Sequence, residues 1–568
     1  MPPTAATITI PEMLTLLDGP HVGLAEAVAH DHYALWLGSG ISLNRLPGLR
    51  AVTKKVIGFL QSRVELGNPA CRFRDALGRV LAVAGPTKDE LARCDLDADP
   101  ATWPDLDVIA GRLVNQYAQM LNVEVDGEPQ DYLLWEAVDV PNTYADPGKE
   151  PDVEHLCVAT LIVEGVASEV VSANWDGLVE KALAELVGAA LVMRTHADSM
   201  DLRQTPLRAN LYKFHGCAVK AKADPARYRE ALIGRQPQVT AFPHPAAPMR
   251  NCLVGLATTR HTLMLGLSAQ DADIQDLFVA GAKDMAWGWP CDPPAYAFSE
   301  QALGLNQEAL LQNVYGAAYK PYTRAAIKEQ ALVRAYASRL LPALLLHVLT
   351  TKARFLADLA EARLPGPEGA RIAAGLARLR DEIASSNAWD DGSTKSFLRR
   401  VGYVMSLLHM GRGRRPSEGI YKPITSTPVQ QFMDDADVRA SGLPEASVGA
   451  GLLGMGLEAG DWSITSDDPV LPKAAAAVLK SGTGSARIYF SATAESAIQL
   501  RALGIVEDKD DAIIVHSSAL PPTSVRSPSG SFGRRGKTWV REVSIGALLA
   551  SNRDADMLMV RFREETAL

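Results

Sequence analysis

Val170-Val171-Ser172-Ala173-Asn174-Trp175-Asp176 is an apolar run that enters a polar turn, and residues 177–186 beyond it have helix-forming character. A strand buried on both faces reads as a continuous apolar run, so the stretch predicts one strand-loop-helix unit of an α/β sheet. Asn174 and Asp176 then stand at the carboxyl end of a strand. In open α/β sheets ligands bind along that edge, where the loops leaving the strands meet the amino ends of the next helices. The same residue types also cap helices by accepting backbone N–H groups, so this stretch alone leaves them as caps or as ligands.

Upstream, Tyr33-Ala34-Leu35-Trp36-Leu37-Gly38-Ser39-Gly40-Ile41-Ser42 is a second apolar strand feeding a Gly-x-Gly turn. Glycines there let the backbone approach a phosphate, with the positive end of the next helix behind it, although the pattern also serves as a plain tight turn. A full dinucleotide fingerprint needs a third glycine where Leu43 stands, so an ordinary Rossmann oxidoreductase is not indicated. Downstream, residues 190–193 and 210–214 are strand candidates, and the second runs into His215-Gly216. An imidazole at a strand end can take a proton from a hydroxyl or a water near neutral pH, or it can simply be a buried, hydrogen-bonded histidine. Thr262-Leu263-Met264-Leu265-Gly266-Leu267-Ser268 is one more apolar strand with a Gly-x-Ser exit. Asp271 and Asp273 follow it and are expected to cap the next helix.

The chain has 568 residues, 47% hydrophobic and 22% charged, so it is a globular protein of two or three domains. A net charge of -9 excludes a wholly basic nucleic-acid coat but not a local basic patch. Cysteines at 71, 94, 157, 217, 252 and 291 include no Cys-x-x-Cys pair, which argues against a structural zinc knuckle and for a reduced, cytoplasmic chain. Residues 1–20 lack the basic start and apolar core of a secretory signal. The most apolar stretch, 340–349, contains Pro342 and His347 and is too short to span a bilayer, so no membrane role is expected.

Residues 46–121 read as helices, at 47–60, 74–82 and 104–121, inserted between the first strands; 152–166 reads as a further helix leading into the central strand. Residues 321–364 and 370–410 read as a helical region, closed by a basic joint at Arg412, Arg414 and Arg415. After it, strands at 486–490 and 512–516 flank a helix at 495–503 as a βαβ-like unit, and further strands are expected at 540–543 and 557–562. The Pro/Ser/Gly-rich loop at 521–533 leads into Arg534, Arg535 and Lys537 near Arg526 and Trp539. Such a loop grips phosphate or is simply solvated, and no base-reading motif accompanies it.

The turns Gly-Ser-Gly-Ile-Ser, Ala-Asn-Trp-Asp, Phe-His-Gly and Gly-Leu-Ser occur in an order that resembles the sirtuin family across residues 25–320. The resemblance implies a Rossmann-like parallel sheet of sirtuin type, with helical insertions, that binds NAD. Carried over, Gly38, Ser39, Gly40 and Ser42 line the phosphates, Asn174 and Asp176 contact the nicotinamide ribose or its water, His215 is the catalytic base, and Gly266 and Ser268 face the adenosine half. The implied organisation is a catalytic domain at 1–320, a helical region at 321–415, and a mixed α/β domain at 416–568 that binds a partner or regulates.

Departures from the family direct the functional expectation. Deacylating sirtuins carry paired Cys-x-x-Cys zinc motifs, which this chain lacks; Leu46-Pro47-Gly48-Leu49-Arg50 only loosely echoes the family's Gly-Ile-Pro-Asp-Phe-Arg, and Trp175 stands where a small or aliphatic residue is usual. A missing zinc module with long helical insertions resembles the sirtuin-like effectors of prokaryotic anti-phage systems, which hydrolyse NAD to nicotinamide and ADP-ribose. A water placed by Asn174 can replace the acyl oxygen as nucleophile at the nicotinamide-ribose bond. The expectation is a metal-independent NAD glycohydrolase that acts in abortive infection and self-assembles. By the same resemblance it answers to a partner such as a short Argonaute with guide nucleic acid or a DNA-translocating ATPase. An NAD-dependent protein deacylase and a non-catalytic NAD or ADP-ribose sensor are the competing readings.

Overall fold

Tyr33, Leu35 and Leu37 enter one apolar core and Ala34 and Trp36 another, and all five are buried, so β1 (Tyr33–Leu37) lies in the middle of a sheet with both faces covered. The chain is seen here in a computed structural model that describes residues 3–240, 246–360, 364–466, 474–482, 484–518 and 540–568. β2 (Glu169–Ser172) and β5 (His261–Leu265) flank β1 in parallel, with Leu35 opposite both Val170 and Leu263. β3 (Met193–His196), β4 (Ala209–Lys213), β6 (Tyr296–Ser299) and β7 (Leu332–Val333) complete an all-parallel sheet in the order β3-β4-β2-β1-β5-β6-β7. The chain leaves β1 toward β2 on one side and later returns to β5 on the other. That reversal opens a crevice at the carboxyl ends of the central strands.

The expected helical insertion is present between β1 and β2. Helices Leu49–Gln61, Arg72–Val83, Leu106–Val114 and Tyr117–Leu121 share a core with Cys217, Ala218, Leu232 and Ile233 beyond β4, which places the insertion over one end of the crevice. The single helix expected at 104–121 is broken at Asn115 and Gln116 into its last two members. The first edge strand starts at Met193 rather than at 190, because Gly188, at φ +61, ends the preceding helix and pairing with β4 begins where Met193 meets Ala209.

Helix Val153–Val163 is buried at every position and leads into β2. A helix apolar all round belongs inside a protein, and this one runs between the sheet and the long helix Ala337–Ala360. The latter is the one described helix long and apolar enough to cross a bilayer; the helix extends well beyond its apolar stretch, and 72% of its most apolar window is buried in the protein. Its Lys352, fully buried, donates to Glu164 Oε2 at 2.7 Å and to the Thr425 carbonyl at 2.9 Å. Glu164 Oε1 accepts from Tyr421 Oη at 2.5 Å and from the Ile424 amide at 3.1 Å. Burial pulls the Lys352 amine below its ordinary pKa, against the opposing pull of Glu164.

Helices Gly366–Ser386, Asp391–Met410 and Leu443–Ala459 continue the helical layer. A second sheet follows in the order β12-β11-β10-β9-β8, formed by β8 (Ser463–Thr465), β9 (Ala477–Lys480), β10 (Ser485–Ser491), β11 (Ala512–His516) and β12 (Val540–Ser544). β10, β11 and β12 run parallel, and the helix Ala494–Ala502 joins the first two as the expected βαβ unit. The strand expected at 557–562 is instead part of the helix Ala555–Thr566. Asp554 accepts from the Met557 amide at 3.0 Å, and Leu558, Met559 and Phe562 are buried on one helical face, so the capping residue decided what the apolar spacing left open. The basic loop expected around Arg526, Arg534, Arg535, Lys537 and Trp539 lies outside the described residues.

Removing one member of a buried ion pair strands the other charge without water. Lys352→Met should therefore destabilise the protein by about 3–5 kcal/mol, read from its urea midpoint; a change below about 1 kcal/mol would show that the pair contributes little.

Candidate active site

The ends of β1, β2, β4 and β5 build one cleft. Ala173 continues the parallel pairing one residue past β2 by donating to the Leu37 carbonyl at 3.1 Å, which fixes the start of the Asn174-Trp175-Asp176 turn against the turn after β1. Asn174 Nδ2 donates to the Gly38 carbonyl at 3.0 Å. Asp176 Oδ1 accepts from the Leu178 amide at 3.1 Å and its Oδ2 accepts from Ser42 Oγ at 3.1 Å. Asp176 thus holds the first amide of the following helix, whose N-cap is Gly177, with one oxygen and joins the cleft with the other, while Asn174 links two loops.

The glycines answer a packing demand. Gly38 and Gly40 lie against Gly266 and Leu267, where a Cβ on either would overlap the Gly266 backbone, and Gly266 itself sits at φ +62. The Gly38 and Gly40 amides donate to the Leu265 and Gly266 carbonyls at 3.0 Å. Ser39, Ser42, Asn174, Asp176, His215, Gly266 and Ser268 all line the cleft, whereas Gly38 and Gly40, expected to line it too, are not among the lining residues and instead pack against Gly266 and Leu267. The cleft has a cavity volume of about 130 Å³ and opens to solvent.

His215 is buried at the end of β4, where Gly216 at φ +88 turns the chain so tightly that a Cβ would strike the Ala231 carbonyl. Its Nε2 lies 2.9 Å from Asp273 Oδ2, and a carboxylate there holds the proton on Nε2 and leaves Nδ1 as the basic nitrogen. Burial pulls the imidazole pKa down, but the charge and hydrogen bond of Asp273, with the charge of Asp271, outweigh it and the net shift is upward. The expectation that Asp271 and Asp273 merely cap a helix does not hold. Asp271, the N-cap residue of Ala272–Asp284, makes no side-chain capping bond and instead accepts from Tyr117 Oη at 2.9 Å. Burial raises its pKa, and the charge of Asp273 adds to that, against the charge of His215 and the Tyr117 bond.

A second histidine-carboxylate pair meets Ser42. His155 Nε2 is 3.1 Å from Ser42 Oγ, and His155 Nδ1 is 2.6 Å from Asp152 Oδ1. Burial lowers the His155 pKa, yet the bond to Asp152 and the charges of Asp152, Asp176 and Glu154 bring the net shift upward. Neighbouring Glu154 is pushed up by burial and by the charge of Asp152. Sequence reasoning missed this pair; its signal was Asp152 and His155 at the mouth of an otherwise apolar helix.

The apolar wall consists of Trp175, whose indole donates to the Ile233 carbonyl at 3.2 Å and meets Tyr144 edge-on at 5.3 Å, together with Leu46, Pro47 and Leu49. The loosely matching segment after the first turn therefore does reach the cleft, except for Arg50, which is not among its lining residues. Among the described residues, one group of donors lies close enough to share a cation: atoms of His215, Asp271 and Asp273, within 4.8 Å of one another. The six cysteines are unpaired and dispersed.

This cleft, at the switch point of an all-parallel Rossmann-like sheet, defines the class. Residues 168–318 match the family described as a SIR2-like domain, so the chain carries a sirtuin-like domain, and SIR2-like domains use NAD. The matched segment begins at β2 and leaves out β1, which the sheet nevertheless places between β2 and β5. Among curated proteins, none matches the chain. The residues fit a dinucleotide in one observable respect: serine, asparagine, aspartate and histidine side chains converge on a cleft whose loops are drawn together by glycines that admit no Cβ.

The upward shift of His215 fixes the sign of its linkage to stability. With a folded pKa above the unfolded value of about 6.5, its contribution is full below that pH and is lost as pH rises through the folded value. Asp273→Asn should consequently lower the melting temperature more at pH 5.5 than at pH 9, and an equal loss at both would show that the pair carries no charge interaction.

Proposed function

We propose that the cleft cleaves NAD to nicotinamide and ADP-ribose. The observation that carries this reading is the convergence of Asn174, Asp176 and His215, from the ends of two strands, on one cleft of a SIR2-like domain, with His215 oriented by Asp273. Asn174, Asp176 and His215 are assigned to the ribose, the attacking water and the proton; Ser39, Ser42, Gly266 and Ser268 are assigned to the rest of the dinucleotide, with Gly38 and Gly40 holding the loop that presents them. NAD supplies a cationic leaving group at its nicotinamide-ribose bond. What the chain adds is placement of a water by the Asn174 amide, proton acceptance at His215 Nδ1, and a wall of Trp175 and Tyr144 that limits other water.

In this reading the protein is a toxic effector of anti-phage defence acting on the cytoplasmic NAD pool, and residues 321–568 or a partner hold it inactive at rest. Support for control from that half comes from Asp391, in the helical layer: it accepts from the Val153 amide at 3.2 Å and pairs with Arg45, three residues beyond Ser42. A short Argonaute with guide nucleic acid or a DNA-translocating ATPase is the proposed trigger, with multimerisation on activation. A monomer that is as active alone as with its partner, and harmless when expressed, would remove this part of the proposal.

The test is nicotinamide release by the full-length protein, alone and with its partner. Asn174→Ala should cut turnover by about a hundredfold or more with NAD binding retained, and His215→Ala by about two to four decades. Chelator should leave turnover unchanged. Near-normal turnover per folded molecule in either variant would overturn its assigned role, and a requirement for an acylated lysine peptide would instead make the enzyme a deacylase.

A further inference from the structure

Asp152, His155, Ser42 and Asp176 form one unbroken line of side chains, with contacts of 2.6 Å, 3.1 Å and 3.1 Å, and all are buried. We propose that Asp152 and His155 are positioning residues for the reaction of the cleft, which set the direction of the Ser42 hydroxyl proton and through it the state of the Asp176 carboxylate that meets the substrate. This rests on the reading of the cleft as an NAD-cleaving site.

Counting protons gives the argument. The Asp152 carboxylate only accepts, so His155 Nδ1 carries a proton. Ser42 has one proton to give and stands within reach of both His155 Nε2 and Asp176 Oδ2. When Nε2 is also protonated it donates to Ser42 Oγ, and the serine proton turns to Asp176. When Nε2 is bare the serine proton turns back to it, and Asp176 Oδ2 is open to a substrate hydroxyl. Asp176 Oδ1 is held by the Leu178 amide in either case, so Oδ2 is the oxygen that changes. The charged groups around the line are Asp152 and Glu154 on its own helix, Asp176 from the turn after β2, the buried Lys213 of β4, which donates to the Asp176 backbone carbonyl and to Glu180, and Arg45, whose Nε lies 4.0 Å from Asp152 Oδ2, with Asp391 behind it.

A helix cap alone does not explain the arrangement. Asp152 reaches the His155 amide at 3.5 Å but the ring nitrogen at 2.6 Å, and the far side of that ring faces a cleft residue.

The experiment is a double-mutant cycle on the full-length protein under the condition that activates wild type, using Ser42→Ala, His155→Ala, the combined variant and His155→Gln. His155→Ala should lower kcat by about tenfold or more with KM nearly unchanged, yet cost less than about threefold further in the Ser42→Ala background, because its effect passes through the hydroxyl. His155→Gln, whose amide can donate to Ser42 Oγ, should recover part of the loss. Equal loss in both backgrounds, or a change in melting temperature alone, overturns the proposal. If wild type releases no nicotinamide, the cleavage reading fails by itself, and the line is then judged by calorimetric affinity for ADP-ribose. There His155→Ala must weaken binding about threefold or more only when Ser42 is present; the same loss in both backgrounds, or none in either, overturns the proposal.

Discussion

Glu164 has no access to water, yet its carboxylate is met by Lys352, the Tyr421 hydroxyl and the Ile424 amide, each from beyond the first sheet. A buried charge is tolerable only with such partners, and so the C-terminal end of helix Val153–Val163 is held where they converge. The other end of that helix carries Asp152 and His155 beside the cleft. The helix that brings His155 to Ser42 is therefore anchored by an electrostatic requirement one helix length away. The first sheet and the helical layer share a single apolar core, running from Ile8 through Leu344 to Phe397, which makes the requirement a property of both.

β1, β2, β4 and β5 of the first sheet were legible because parallel strands buried on both faces are written as unbroken apolar runs, as in Tyr33–Leu37. β6, buried at all four positions, was not expected, because four residues following Pro293 and Pro294 are too short a run to read. Where burial is one-sided the text is weaker. The edge strand β3 was displaced because its four residues are mostly half-buried, and β7, two residues long, left no pattern at all. The last helix was misread because Leu558, Met559 and Phe562 suit either period, and the deciding word was the polar Asp554.

The site was legible in its turns and not in their supports. Strand-end turns keep their residues adjacent in sequence, so Asn174 with Asp176 and His215 with Gly216 could be found locally. The partners that orient them come from far away: Asp273 lies 58 residues from His215, and His155 lies 113 residues from Ser42. Nothing in a single sequence joins such positions. The glycines show the converse, since their type was informative while the reason was hidden: Gly40 and Gly266 are required by each other, across the crevice.

Helix Asp391–Met410 starts where Asp391 holds Arg45 and ends against β10 of the second sheet. At a rise of about 1.5 Å per residue it is a rod of about 30 Å, stiff along its axis. No loop interrupts the chain between the Arg45 contact and the end of the helix against β10. The helix is thus a strut, and the protein's two sheets, though separated by a layer of helices, are bridged by one unbroken element.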